Sequence, residues 1–275
     1  MTMNFLERHT NGPMIRMPNA WNPGAAKIMQ DAGADAIGTT SAGIVYAAGL
    51  PDYEGALTWD ECLRATEAIC AAVDIPVSVD SEDGYGDTPE AVANTFTMLI
   101  QAGAEGGSIE DHPRSVGSEL IPAERIAEHI AAAREAINRS GKPFVLTARA
   151  ECYLVGHPEK LTESIRRIRL YQDAGADCLY VPGLRKREDI ATVLDAISKP
   201  LNVLVGIKGF DIPLDALAAM GVRRISTGGS IACATLGLVR QAVERMMSGD
   251  LSYRDLMITH DELTAMFGEG PAAGI

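Results

Sequence analysis

Residues 77–87 read Val-Ser-Val-Asp-Ser-Glu-Asp-Gly-Tyr-Gly-Asp. A β-branched run, entered through Ile75-Pro76, gives way to the acids Asp80, Glu82, Asp83 and Asp87 beside Gly84 and Gly86. Carboxylates crowded at a strand end repel one another unless a positive group stands among them. A hard divalent cation such as Mg²⁺ answers this, because it takes oxygen ligands and keeps several waters. The alternative is a polar loop solvated by water.

Other chemically capable residues cluster in the same way at the ends of short apolar runs. They include Thr39-Thr40-Ser41-Ala42-Gly43 with Asp52 further along, Glu110-Asp111-His112, and Arg149-Ala150-Glu151. Asp80, Glu82 and Glu110 are the expected ligands of Mg²⁺, with Mn²⁺ as a substitute, one acid directly and the others through water. Arg149 offers a planar fork matched to a substrate carboxylate. Thr40, Ser41 and the backbone N–H groups around Gly43 make a second anion pocket, and Thr39 and Glu151 are counted among the substrate-binding residues. A metal beside a carboxylate clamp suits a 2-oxo acid, whose keto and carboxylate oxygens chelate it. The metal then stabilises the enolate left when a bond at C3 breaks. His112 is either a general acid or a loop histidine in water. Asp52 either orients substrate or a metal-bound water, or forms a turn after Pro51.

These groups need a frame. The segment Asp31-Ala-Gly-Ala-Asp-Ala-Ile-Gly-Thr39 returns at Gln101–Ile109 and Asp173–Val181, and more loosely at Ala219–Thr227. Each reads as a helix end, a glycine cap and an apolar strand. Further strands are entered through Pro76, Pro143 and Pro200. The expected strands are Met14–Met17, Ala36–Thr39, Val77–Asp80, Gly107–Glu110, Phe144–Arg149, Cys178–Val181, Asn202–Val205 and Arg224–Thr227, with apolar interiors and polar ends. Helices follow each; Pro122–Asn138 carries Ile126, Ile130, Ala133 and Ile137 at helical spacing. Eight βα units in this length predict an α/β fold, a (β/α)₈ TIM-type barrel whose parallel eight-stranded sheet closes on itself. The alternative is an open doubly wound sheet, but no G-x-G-x-x-G follows the first strand. The expected division is a catalytic barrel over 1–250 and a helical tail over 251–275, helical from Asp255 to Phe267, packed on the barrel or on a neighbouring subunit.

The 275 residues are 47% hydrophobic and 22% charged, with a net charge of −13. That composition describes a globular protein that repels nucleic acid and anionic membranes. An anionic substrate then needs local positive charge, from metal or arginine. Cys62, Cys70, Cys152, Cys178 and Cys233 are widely spaced without a C-x-x-C, so neither a disulfide framework nor a zinc site is expected, and most read as core filler. No signal-like or membrane-spanning run occurs, so a cytoplasmic location is expected.

The residues together carry a resemblance. Asp80-Ser-Glu82-Asp-Gly84-Tyr85-Gly86 is similar to the D-x-D-x-G-Y-G metal motif of the isocitrate lyase/phosphoenolpyruvate mutase superfamily. Ile109-Glu110-Asp111 resembles its I-E-D element, Ala148-Arg149-Ala150-Glu151 its A-R-x-[DE] element, and Gly49-Leu50-Pro51-Asp52 its G-L-P-D element. Within the superfamily the chain resembles the short-gating-loop branch, carboxyvinyl-carboxyphosphonate phosphorylmutase-like or methylisocitrate lyase-like. The resemblance implies an α/β barrel, Mg²⁺, a 2-oxo acid or its enolate, and a homodimer or homotetramer in which the last barrel helix is exchanged. Glu82 stands where the family usually has aspartate. The loop from His112 to Ile121 has no cysteine where the lyases carry a lysine-cysteine-glycine-histidine element, and the lysine and asparagine of the mutases' gating loop are missing. The expected activity is Mg²⁺-dependent C–C cleavage, by retro-aldol or decarboxylation, of a small 2-oxo or hydroxy di- or tricarboxylic acid. A C–P mutase or phosphonopyruvate hydrolase, and a non-catalytic 2-oxo acid-binding barrel, are the rivals.

Overall fold

The computed structural model describes residues 3–52, 55–114 and 119–268. Its strands are β1 (Ile15–Met17), β2 (Asn19–Ala20), β3 (Ile37–Thr39), β4 (Val77–Asp80), β5 (Gly106–Glu110), β6 (Val145–Arg149), β7 (Cys178–Tyr180), β8 (Leu201–Leu204) and β9 (Arg224–Ser226). The helices are α1 (Phe5–Thr10), α2 (Pro23–Asp31), α3 (Ser41–Ala47), α4 (Trp59–Cys70), α5 (Pro89–Gln101), α6 (Ala123–Ser140), α7 (Lys160–Asp173), α8 (Arg187–Ala196), α9 (Leu214–Met220), α10 (Ser230–Met247) and α11 (His260–Phe267). All strand pairs are parallel, and the sheet order runs β1-β9-β8-β7-β6-β5-β4-β3-β2. The ring is completed across Pro18. That residue has no N–H to give a ladder; the expected first strand ends before it, at Met17, and an unexpected two-residue strand, Asn19–Ala20, follows it. β1 then pairs with β9 and β2 with β3. The eight-unit barrel expected from the sequence is therefore present, written as nine short strands.

The recurrent Ala-Gly-Ala junction does what its glycine predicts. Gly33, Gly103 and Gly175 follow α2, α5 and α7 at φ 86°, 94° and 112°, a left-handed turn that costs glycine little. Helix α6 runs two residues past its expected end, to Gly141 at φ 66°. The tail differs from expectation. A 3₁₀ turn at Ser252–Leu256 is followed by extended Met257, and Thr259 then caps α11 through a reciprocal bond with Glu262. α11 lies on α2, where Lys27 Nζ donates to the Phe267 carbonyl. Among the described residues no helix is long and apolar enough to cross a membrane.

Strand side chains alternate between two environments. Val79, Ile109, Leu146, Ala148, Leu179, Val203 and Ile225 face outward onto Phe96, Leu99, Ile126, Ile130 and Tyr171 of the helices and form the main core. Inside the lumen, the floor is apolar: Phe5 of α1 plugs it against Ile15, Met17, Val145 and Cys178. Burying that phenylalanine contributes about 1.5–3 kcal/mol. Gly106 makes room for it, since a Cβ there would meet Phe5 Cε1 at 3.2 Å. Above the floor the expectation of apolar strand interiors fails. Ser78, Ser108, Thr147, Asn202, Arg224 and Ser226 are buried in the lumen. A reading by runs, rather than by alternate residues, hides this layer.

Candidate active site

Asp80 ends β4 and is held on every side. Its N–H donates to Thr39 Oγ1 at 2.8 Å, and Ser41 donates from its N–H (3.2 Å) and hydroxyl (3.1 Å) to Asp80 Oδ2. Thr40 opens α3 as its N-cap, its hydroxyl accepting the Gly43 N–H. Gly43 is fixed by space: a Cβ would lie 2.6 Å from Thr40 Cγ2. The hydroxyl-rich turn thus orients the acid.

Arg149, at the end of β6, binds three carboxylates. Nη1 lies 2.8 Å from Asp80 Oδ1 and 2.9 Å from Glu110 Oε2, and Nε lies 2.9 Å from Glu151 Oε1. Its guanidinium sits 5.2 Å from the ring centre of Tyr180. Burial opposes the arginine's charge, yet Glu110, Glu151 and Asp80 outweigh it and hold its pKa well above the ordinary value. Burial pushes Glu110 well above the usual carboxylate range and Glu151 up to about 7, with Arg149 opposing both.

Glu82 sits at φ 46°, a left-handed conformation that an L side chain seldom adopts. Its carbonyl accepts the Glu110 N–H at 2.9 Å, tying the acidic loop to β5. Its Oε2 is buried without a hydrogen-bond partner. Burial first, and then the neighbouring Asp80, push its pKa up to about 8. Asp83 is otherwise engaged: it pairs with Arg114, which lies over the Tyr85 ring at 4.6 Å.

The residues expected from sequence all line one cavity of about 620 Å³: Thr39, Thr40, Ser41, Asp52, Asp80, Glu82, Glu110, His112, Arg149 and Glu151. Leu154, Val155, Pro182, Leu204 and Ile207 add an apolar wall. Residues 115–118, the middle of the loop after β5, lie outside the described residues. Cys62, Cys152 and Cys178 are buried as expected, whereas Cys233 is exposed and lines the cavity.

Asp111 was legible only as part of a motif, and its partners were missed. Its Oδ1 accepts the Glu151 N–H at 2.8 Å; its Oδ2 accepts from Arg167 (2.9 Å) and the Tyr171 hydroxyl (2.8 Å). It is a fully buried brace that sets Glu151 and, through Arg167 to the Ile121 carbonyl, the base of the loop after β5. Arg167 and Tyr171 are one turn apart on α7, and a polar pair on an apolar face was the available signal.

The donor set here is made of hard oxygens with one orphaned buried carboxylate oxygen, which is the chemistry a Mg²⁺-like cation takes. Among the described residues no three acids converge on one point as they stand. The Arg149 guanidinium occupies the space between Asp80 and Glu110 instead. A cation joining these acids has to share or take that position.

Residues 5–247 match the family model described as Phosphoenolpyruvate phosphomutase. A crystal structure of the lyase/mutase type from Burkholderia cenocepacia J2315 is 39% identical, covers 94% of this chain and 93% of its own, and superposes with a TM-score of 0.89. A 2,3-dimethylmalate lyase structure is 26% identical over 93% of this chain and 90% of its own, with a TM-score of 0.81. A phosphonopyruvate hydrolase solved with oxalate and Mg²⁺ shares the fold at 23% identity, covering 95% and 92%, with a TM-score of 0.84.

Proposed function

This chain belongs to the phosphoenolpyruvate phosphomutase family, within the isocitrate lyase/phosphoenolpyruvate mutase superfamily, and from that premise we propose that it is a Mg²⁺-dependent carbon–carbon lyase. Its substrate class is a small 2-oxo or 2-hydroxy di- or tricarboxylic acid. The family is enzymatic and contains both lyases and mutases. The observation that carries the lyase reading is the single guanidinium, Arg149, set among Asp80, Glu110 and Glu151 at 2.8–2.9 Å. It is matched to one carboxylate group. Arg114, the other arginine near the mouth, is already paired with Asp83, which leaves a phosphonate with less cationic support among the described residues.

In this reading Asp80, Glu82 and Glu110 hold the cation, in part through water, with Mn²⁺ as a substitute. When bound, the ion supplies a Lewis acid that stabilises the negative charge developing as the C–C bond breaks. Arg149 turns its fork from the acids to the substrate carboxylate. Thr40 and Ser41 orient the far end of the substrate, and Thr39 holds Asp80 in register. Glu151, bonded to Arg149 Nε at 2.9 Å, keeps Arg149 aimed. Asp52 and His112 line the same cavity; His112 is the proton-donor candidate and Asp52 the orienting acid. The test is a pyruvate assay with oxaloacetate and Mg²⁺, comparing the native protein with Asp80→Ala. Turnover that vanishes in the variant supports the reading. Tight binding with no product from any C4 to C7 2-oxo or 2-hydroxy acid overturns it in favour of a binding barrel.

The assembly is part of the same proposal. Along α10, Leu236, Val239, Val243 and Met246 are 47–55% exposed on one face, and Ala232 is the helix's one buried residue. A helix with that stripe facing water lacks the burial that normally stabilises it. A homodimer or homotetramer that covers α10 with a second copy of this chain supplies it.

A further inference from the structure

Two positions below the last residue of four strands lies a polar one on the same inward face. Ser78 lies under Asp80, Ser108 under Glu110, Thr147 under Arg149 and Asn202 under Leu204. The cavity that opens at the carboxylates continues down past these residues to Arg224. TIM-type barrels normally fill this level with branched apolar side chains.

Arg224 is 2% exposed. Its Nε donates to Asn202 Oδ1 at 2.9 Å, and its Nη2 to Thr147 Oγ1 at 2.9 Å. Its Nη1 lies 3.2 Å from His9 Nε2. His9 Nδ1 in turn lies 2.8 Å from the Phe5 carbonyl. Donation from Nδ1 to that carbonyl leaves Nε2 as the acceptor for the guanidinium, so the ring is neutral. Burial and the adjacent Arg224 keep it so, pushing the imidazole down to about 3. Every one of these partners is uncharged. Among the described residues no carboxylate lies within ion-pair distance of Arg224, whereas the carboxylates above are shared with Arg149. A positive charge is thus enclosed without a counter-ion, an arrangement that is unfavourable unless one is supplied.

We propose that the polar chamber under the carboxylate layer is an anion site, in which Arg224 and the hydroxyls of Thr147 and Ser78 hold a small monovalent inorganic anion of chloride type, with Ser108, whose hydroxyl donates to the Val79 carbonyl at 3.4 Å, completing the wall. The chamber has the two properties such an ion needs: an uncompensated guanidinium on one wall and neutral hydroxyl donors around the rest. Its connection to the mouth gives the ion an entry path. The ion is a permanent part of the barrel, distinct from the substrate carboxylate gripped by Arg149 a layer above.

Bromide is the probe. Crystals of the full chain grown in sodium bromide, with data collected at the bromine edge, are expected to show an anomalous peak inside the barrel in contact with the Arg224 guanidinium. No peak there at saturating bromide overturns the proposal, whatever the variants do. In solution, the melting temperature is expected to be higher by about 2 °C or more in sodium chloride than in sodium gluconate at equal ionic strength. Arg224→Gln is expected to abolish that difference. Equal melting temperatures of the native protein in the two salts would count against the site, and this comparison needs no variant to fold.

Discussion

Arg149 Nη1 lies 2.8 Å from Asp80 Oδ1, so the group proposed to grip the substrate is bonded to an acid proposed to hold the metal. The arginine serves the metal-free protein as the counter-charge of the acidic cluster. Metal and guanidinium therefore compete for Asp80 and Glu110. In Arg149→Met, Mg²⁺ affinity is expected to rise about tenfold, roughly 1.4 kcal/mol, while oxalate affinity falls by about 2 kcal/mol or more. Calorimetric titration of each ligand reads both. An Mg²⁺ affinity that falls together with oxalate affinity would refute the competition.

The pH dependence follows from Glu82. Its folded-state pKa, about 8, lies above its ordinary 4.5. The folded protein keeps a proton that the unfolded chain sheds, so metal-free stability falls as pH rises from about 4.5 through about 8. A cation that binds the ionised acid relieves this. The rise in melting temperature on adding Mg²⁺ should be larger at about pH 8.5 than at about pH 6. An Mg²⁺ effect independent of pH, or larger in acid, contradicts it.

Asp111 braces Glu151 without facing the cavity. Replacing it with alanine leaves the buried Arg167 charge and the Tyr171 hydroxyl without their acceptor. Asp111→Ala should lose about 3–5 kcal/mol in urea unfolding. A loss under about 1 kcal/mol would show that Arg167 finds compensation in Glu163, its other carboxylate partner at 2.8 Å.

The exposed stripe on α10 predicts association. Val239→Glu with Val243→Glu places charge where apolar side chains now face water. Sedimentation should show the native protein as a dimer or tetramer and the double variant as smaller species. A monomeric native protein removes the assembly proposal.

The barrel was legible because its signals are local: Gly33, Gly103 and Gly175 each mark a helix-to-strand turn, and Asp80, Glu110 and Arg149 stand at strand ends. The expected first strand stopped at Met17, before Pro18, and the two-residue strand beyond it was too short for a run-based reading to find. The lumen layer was hidden for a different reason. Ser78, Ser108, Thr147 and Asn202 alternate with outward residues of the main core, and only the closed ring tells which face is which. The Asp111–Arg167–Tyr171 contacts span some sixty residues of chain, a separation that spacing rules do not reach. Arg149 bridging three carboxylates needed geometry as well, since the motifs name the residues without their bonds.

The central claim is that the acids at the barrel mouth and Arg149 together bind a divalent cation and a 2-oxo acid headgroup. Its most direct test is a titration of the native protein with oxalate, with Mg²⁺ and then with chelator. Oxalate is expected to bind at least tenfold more tightly with Mg²⁺ present, and that gain should disappear in Asp80→Ala. An oxalate affinity that is the same with Mg²⁺ as with chelator would contradict the claim.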